Sequence, residues 1–321
     1  MAKKRKAPAI RRALVKGRPP LAPKPQAVLS KQATQKLIST HHGLNRKLAK
    51  AKAKDDKEEI DKLNKQIMDS GGLSSYQLAS KQGQSSERGG DSSLVLMEWL
   101  KDVKAVMASS EHKFRMLEVG ALSTTNACSK SGIFDIERID LNSQGQGIKQ
   151  QDFMERPLSQ YEKDQFDIIS LSLVLNFVPT DEGRGAMLQR TCQFLDQRAP
   201  RTMPAALQDF FPALFLVLPS ACVANSRYTN DERLTLIMDS LGYVMLRRKQ
   251  TDKLVYYLWL LRDKPSPDKQ VFRKEEIKPG GKRNNFCIVM KNTRDSVHGG
   301  SLYQTAGESA MAMPMEWLAA G

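Results

Sequence analysis

The stretch Arg115-Met116-Leu117-Glu118-Val119-Gly120, with Ile139-Asp140 following 20 residues after the glycine, decides how this chain reads. A short apolar run ending in glycine is a strand that turns into a helix, and glycine at that turn lets the backbone come close to a nucleotide. A carboxylate about 20 residues on, at the end of the next strand, accepts from both ribose hydroxyls. The turn continues Ala121-Leu122-Ser123-Thr124-Thr125, without the second and third glycines of G-x-G-x-x-G. A dinucleotide needs those glycines for its pyrophosphate. S-adenosylmethionine carries no phosphate, so one glycine suffices, and Glu118 suits its sulfonium and amino cations. The expected cofactor is therefore S-adenosylmethionine, with Gly120, Asp140 and Glu118 at its site.

Outward from this stretch, short apolar runs alternate with helical stretches from residue 114 onward, as in a mainly parallel sheet with helices on both faces. Strands are expected at Arg115 to Val119, Ile136 to Leu141, Ile148 to Gln151, Phe166 to Leu173, Ala213 to Leu218, Tyr243 to Arg247, Leu254 to Leu260 and Phe286 to Met290. Helices are expected near 124–132, 181–197 and 229–241, the last two headed by acidic residues that complement the helix dipole. After the third strand, Asp152 supplies a carboxylate for an adenine amino group and Phe153 an aromatic face. After the fourth, Asn176 and Phe177 in L-V-L-N-F-V-P fall where doubly wound folds place their reactive edge. Each residue also has a plainer reading. Glu118 and Asp140 suit strand ends satisfied by backbone amides, Phe153 suits the core, and Asn176 and Pro179 suit a turn.

The chain has 321 residues, 40% apolar and 26% charged, which excludes a wholly disordered or disulfide-framework protein. Its longest apolar run, Phe210 to Leu218, is interrupted by Pro212 and falls short of the ~18 residues of a membrane span. The four cysteines form no C-x-x-C pair and are expected to be reduced thiols. None of the four histidines has a partner motif, so no metal site is expected. The net charge is +15, and residues 1–70 hold 19 Lys/Arg against 6 Asp/Glu, a net +13, leaving +2 for the rest. So uneven a distribution is built for a polyanion, with nucleic acid the first candidate. Residues 1–26 hold Lys3-Lys4-Arg5-Lys6 and five prolines, which suits a disordered leader and a nuclear or nucleolar address. No apolar segment of the secretory kind precedes those prolines.

From Ser30 to Met68 helical spacing of Leu37, Leu44, Leu48, Ile60, Leu63 and Ile67 predicts one or two amphipathic helices, broken at Gly43 or within Lys50 to Glu59. Residues 76–91 form a Gly/Ser-rich loop, and Asp91-Ser92-Ser93 caps a helix through Val103. The expected domains are 1–26, 27–91, 92–290 and a Met- and Ala-rich C-terminal tail at 291–321.

The segments Y-Q-L-A-S, G-Q-S-S-E-R-G-G-D-S-S, L-E-V-G-A-L, I-D-L-N-S, Q-Q-D-F and S-L-V-L-N-F-V-P-T-D-E-G-R-G-A-M-L together resemble the fungal nucleolar methyltransferases that modify N1 of an adenine in large-subunit (25S) ribosomal RNA. The resemblance covers residues 70–290 and implies a class I, Rossmann-like methyltransferase fold with Gly120 and Asp140 as cofactor contacts. It places Asp152, Phe153 and Arg88 near the cofactor, the last because the family's R-G-G-D segment covers that pocket. It implies ribosomal RNA or a pre-ribosome as partner and a nucleolar location, and for such a reaction Asn176, by its place after the fourth strand, is the expected acceptor for the target base's amino group. An animal relative in the same superfamily binds the cofactor as a sensor, which is the alternative function.

Overall fold

The computed structural model describes residues 31–71, 90–143, 145–158, 164–195, 203–263 and 271–291. The expected leader, nearly all of the Gly/Ser-rich loop and nearly all of the C-terminal tail lie outside the described residues. The chain divides into two compact units, Met1–Leu94 and Val95–Gly321.

In the first unit, helices α1 (Lys31–Ala53) and α2 (Lys57–Asp69) pack against each other. The break falls within the charged stretch and not at Gly43, because Asp55 takes a left-handed φ of 53° and Asp56 caps α2. The Asp56 side chain accepts from Glu59 N at 3.1 Å, and the first-turn acids Glu58 and Glu59 complement the helix dipole. Gly43 stays inside α1, where a single glycine is tolerated.

Helix α3 (Ser93–Trp99) begins where expected, with Asp91 Oδ1 accepting from Ser93 N at 2.9 Å. It does not run unbroken to Val103. Residues 100–104 tighten into turns with i→i+3 bonds, and a second helix, α4 (Lys104–Ser109), follows. The tightening puts Leu96, Leu100, Val103 and Met107 into one buried layer.

The second unit is built on a seven-stranded sheet. Strands β1 (Phe114–Val119), β2 (Phe134–Asp140), β3 (Lys149–Gln150), β4 (Ile168–Ser172), β5 (Ala213–Pro219), β6 (Tyr243–Gln250) and β7 (Leu254–Leu261) lie in the order 3-2-1-4-5-7-6. β1 to β5 pair in parallel, and β7 enters antiparallel between β5 and β6. Further helices among the described residues are α5 (Ala127–Lys130), α6 (Asp181–Phe194), α7 (Ala221–Ala224) and α8 (Asp231–Ser240). Alternation along the central strands feeds two cores. Leu117, Ile169, Leu214 and Trp259 face Leu188 of α6 and Ile237 of α8, whereas Met116, Ile168, Phe215 and Leu258 face Leu96 and Cys128. This is the doubly wound α/β architecture expected from the alternating pattern.

The eighth expected strand does not form. Phe286 to Met290 is buried, but its sheet-like pairing is confined to an isolated antiparallel bridge between Met290 and Phe272. The run lies against the start of α6 instead. Val289 N donates to Asp181 O at 3.0 Å, and Arg184 donates to Cys287 O at 2.8 Å with its guanidinium 4.8 Å from the Phe286 ring. An apolar run reports burial, and backbone pairing is a separate matter. All four cysteines are free and buried, and burial pushes Cys222 up to about 12 and Cys287 up to about 11, which leaves these two thiols protonated and inert. Among the described residues no helix is long and apolar enough to cross a membrane.

Gly185 marks the tightest approach between α6 and the C-terminal run, because a β-carbon there would stand 2.0 Å from Val289 O. Gly185→Ala is expected to destabilise the protein by about 1–3 kcal/mol and to release the run. Thermal unfolding together with limited proteolysis after residue 271 checks this; an unchanged midpoint and cleavage pattern would refute the packing.

Candidate functional site

In an open α/β sheet, ligands bind outside the carboxyl ends of the strands where the strand order reverses, here between β1 and β4. The backbone is shaped for close approach at that point. Gly120 ends β1 with a φ of +74°, and its N–H donates to Ile139 O at 2.8 Å, tying the turn to β2. Opposite it, Leu173 ends β4 with a φ of 59°, a left-handed conformation that a leucine adopts only under constraint. That turn carries Val174 over Gly120, so that a β-carbon on Gly120 would meet Val174 Cγ2 at 2.5 Å.

Around this crevice the parallel register gathers the residues singled out in the sequence. Glu118 sits on β1 opposite Arg138 on β2, both 15% exposed, with Arg138 Nε 3.7 Å from Glu118 Oε2. Asn126 Nδ2 donates to Glu118 Oε1 at 2.8 Å, while Asn126 Oδ1 caps α5 by accepting from Ser129 N at 2.9 Å. Glu118 is thus a half-buried anion whose carboxylate is oriented from two sides. Asp140 closes β2, and its Oδ1 accepts from Asn142 N at 2.8 Å. Asp140 O accepts from Gln151 N at 2.9 Å, which brings the strand ends carrying Asp140 and Asp152 side by side. Asp152 Oδ1 accepts from Met154 N at 2.7 Å.

Phe153 is placed otherwise. Its ring is 2% exposed and packs 5.5 Å from the Phe194 ring, in the core that the plainer reading assigns it to. Arg190 of α6 fastens this turn from below, donating to Phe153 O at 2.8 Å and also to Arg156 O. Arg88 lies outside the described residues. Asn176 occupies a single 3₁₀ turn, Leu175–Phe177, directly after the strained Leu173. Its Oδ1 is buried and meets no hydrogen-bond donor among the described residues, an unusual state for an amide oxygen.

Three contributors escaped the sequence reading: Asn126 and Arg138, which orient Glu118, and Val174, which sets the depth of the crevice. Asn126 had a local signal as a helix cap, but nothing along the chain marks Arg138 as a neighbour of Glu118. His112 stays outside the site. His112 pairs with the buried Asp167 at 2.9 Å, where Asp167 also accepts from Arg115 N at 2.7 Å, at the amino ends of the strands. Among the described residues no cluster of His, Cys, Asp and Glu is arranged to hold a metal ion.

The residues fit an S-adenosylmethionine molecule: a glycine without space for a side chain, an oriented carboxylate beside it, and a second carboxylate at the end of the next strand. Comparisons with known proteins point the same way. Residues 61–288 match the family model described as 25S rRNA (adenine(2142)-N(1))-methyltransferase, Bmt2. The chain is 38% identical over 226 residues to the 25S rRNA (adenine(2142)-N(1))-methyltransferase of Saccharomyces cerevisiae, covering 70% of this chain and 62% of that protein. It is 36% identical over 255 residues to the 25S rRNA adenine-N(1) methyltransferase of Schizosaccharomyces pombe, covering 79% of this chain and 90% of that protein. The chain therefore spans less than two thirds of the length of the Saccharomyces relative.

Asp140→Ala is expected to weaken S-adenosylmethionine binding by about a hundredfold or more, since a charged acceptor for two hydroxyls is lost, while the unfolding midpoint stays near that of the parent. Gly120→Val is expected to lose binding and also about 2 kcal/mol or more of stability, from the strained φ and the collision with Val174. Calorimetric titration and thermal melts of both variants separate the two effects. Normal affinity in the Asp140 variant would move the site elsewhere.

Proposed function

Because the chain belongs to the family of 25S rRNA (adenine-N(1)) methyltransferases, we propose that it transfers the methyl group of S-adenosylmethionine to N1 of an adenine in large-subunit ribosomal RNA, during ribosome assembly in the nucleolus. The observation that carries this reading is the convergence of Gly120, Glu118, Asp140 and Asp152 with the buried Asn176 amide at one edge of the sheet.

When bound, S-adenosylmethionine supplies a methyl group activated by its sulfonium. Adenine N1 carries its lone pair free at neutral pH, so the protein's main task is to hold the base in line with that methyl. Asp140 would accept from the ribose hydroxyls of the cofactor and Asp152 from its adenine amino group, with Glu118 toward its cationic end. Asn176 faces the target base and accepts from its exocyclic amino group, an interaction that strengthens as the base becomes cationic. Such a base reaches the edge only outside a stack, so a single-stranded or flipped adenine is the substrate. The basic leader supplies sequence-independent attraction to the RNA and a nucleolar address.

Labelled methyl transfer to unmodified 25S ribosomal RNA tests the reaction. Asn176→Ala is expected to lower kcat about a hundredfold with little change in cofactor affinity. Because neither Asn176 nor adenine N1 titrates near neutrality, the parent rate should be flat with pH there; a bell-shaped profile would point to a general base instead. If calorimetry shows cofactor binding and no label reaches RNA, the sensor alternative replaces this reading. Deleting residues 1–26, which removes nine Lys/Arg and no acid, should leave cofactor affinity intact, flatten the salt dependence of RNA binding and abolish nucleolar enrichment of a fluorescent fusion. Persistent enrichment would place the address elsewhere.

A further inference from the structure

Residues 271–291 hold six Lys/Arg and two Asp/Glu, a net +4, against +2 for all of residues 71–321. Outside this segment the chain beyond residue 70 is thus slightly acidic in sum, with a second basic stretch at residues 247–253.

The fold places the segment beside the reactive edge. Near its two ends, Lys274 Nζ lies 2.8 Å from Asp181 Oδ2 and Val289 N donates to Asp181 O, at the head of the helix that follows the Asn176 turn. Between them, the segment is stitched to the loop between β5 and α8. Arg227 N donates to Asn284 O at 3.0 Å, Ile277 N and Lys278 N donate to Arg227 O, and Asn284 Nδ2 donates to Ala221 O at 2.6 Å. Since β5 runs parallel to β4, this loop leaves the sheet at the same carboxyl edge as the Asn176 turn.

Two groups of cations stand out in this region. Arg184, Arg233, Arg248 and Lys274 are each paired with a carboxylate at 2.6–3.3 Å and hold the fold. Arg227, Lys278, Lys282 and Arg283 have no carboxylate within ion-pair distance among the described residues. Lys278 and Lys282 are exposed, while Arg227 and Arg283 are half-buried, with guanidinium nitrogens donating to the carbonyls of Gly280 and Pro279. Four cations brought to one edge, none within ion-pair distance of a carboxylate among the described residues, form a positively charged surface.

We propose that Lys278, Lys282, Arg283 and Arg227 form a phosphate-binding surface for the RNA strand that flanks the target adenine, guiding that strand to the Asn176 edge. This rests on the RNA methyltransferase reading and assigns a binding surface to the folded domain, separate from the basic leader. The commitment to RNA follows from charge: clustered unpaired cations gain most from a polyphosphate, whose condensed counterions they release. The leader attracts RNA at any register, whereas a surface pinned to Asp181 and Arg227 fixes where the backbone lies relative to the reacting atom.

The test uses the full chain and in vitro transcribed 25S ribosomal RNA. In the triple variant Lys278→Glu, Lys282→Glu, Arg283→Glu, KM for RNA is expected to rise about tenfold or more with kcat near the parent value and cofactor affinity unchanged. The slope of log affinity against log salt should become shallower by about 1 for each cation that no longer meets a phosphate. If the triple variant does not fold, Lys282→Gln, which changes one exposed side chain, should still raise KM and reduce the slope. Unchanged KM and slope in a folded variant would overturn the proposal. So would a variant that binds and methylates free RNA normally yet fails on pre-ribosomal particles, since that would assign the surface to a protein partner. Titration of the same RNA without cofactor separates the two readings: a parent that transfers no methyl group, in a system where the variant still loses RNA affinity, would refute the reaction and uphold the surface.

Discussion

A β-carbon on Gly120 would stand 2.5 Å from Val174 Cγ2, and that close approach between the ends of β1 and β4 shapes everything around it. It requires glycine at a positive φ on one side and a strained Leu173 on the other. The strain is held by regular structure: Gly120 N is bonded to Ile139 O and Leu173 N to Val217 O, so each unusual residue is clamped to a neighbouring strand. Rigid strands thereby present an edge where backbone, and not side chain, faces a ligand. A side chain at Gly120 would fill the crevice before any cofactor entered it.

Once that edge exists, parallel pairing does the rest. Parallel strands all end on the same side, so carboxylates far apart in sequence, Glu118, Asp140 and Asp152, come to one rim without any long-range contact of their own. Their orientation depends on the residues behind them. Glu118 is held by Asn126 from the helix that follows its own strand and lies beside Arg138 from the next strand, which keeps a half-buried carboxylate directed. The opposite rim is reinforced from below by Arg184, whose buried guanidinium joins Asp181 to the C-terminal run through Cys287 O. An unpaired guanidinium at that depth would be costly, so the pairing makes the run part of the domain.

Charge is divided in the same economical way. Around the C-terminal segment, the cations that hold structure have carboxylates within ion-pair distance, and those displayed at the carboxyl edge do not. In the proposed function the basic leader adds sequence-independent attraction. A methyl transfer that depends on in-line alignment needs both kinds of charge, because long-range attraction raises the encounter rate and only fixed contacts define the register.

Strand spacing and turn chemistry are local properties, and they were legible in the residues themselves. The apolar alternation from Phe114 onward specified a mainly parallel α/β sheet, the single glycine followed by a carboxylate pointed to an adenosyl cofactor, and the charge gradient set the expectation of a polyanionic partner. What tertiary structure alone decided concerns neighbours distant along the chain. The apolar run Phe286 to Met290 looked like a strand because hydrophobicity records burial, yet it pairs with a helix end through Asp181 and Arg184. Phe153 lies beside Asp152 in sequence, but its ring turns into the core against Phe194. Arg138, Val174 and the unpaired cations of residues 278–283 acquire their meaning only from register, backbone strain and the distance to the nearest carboxylates, which are properties of the folded arrangement and leave no mark in the order of residues.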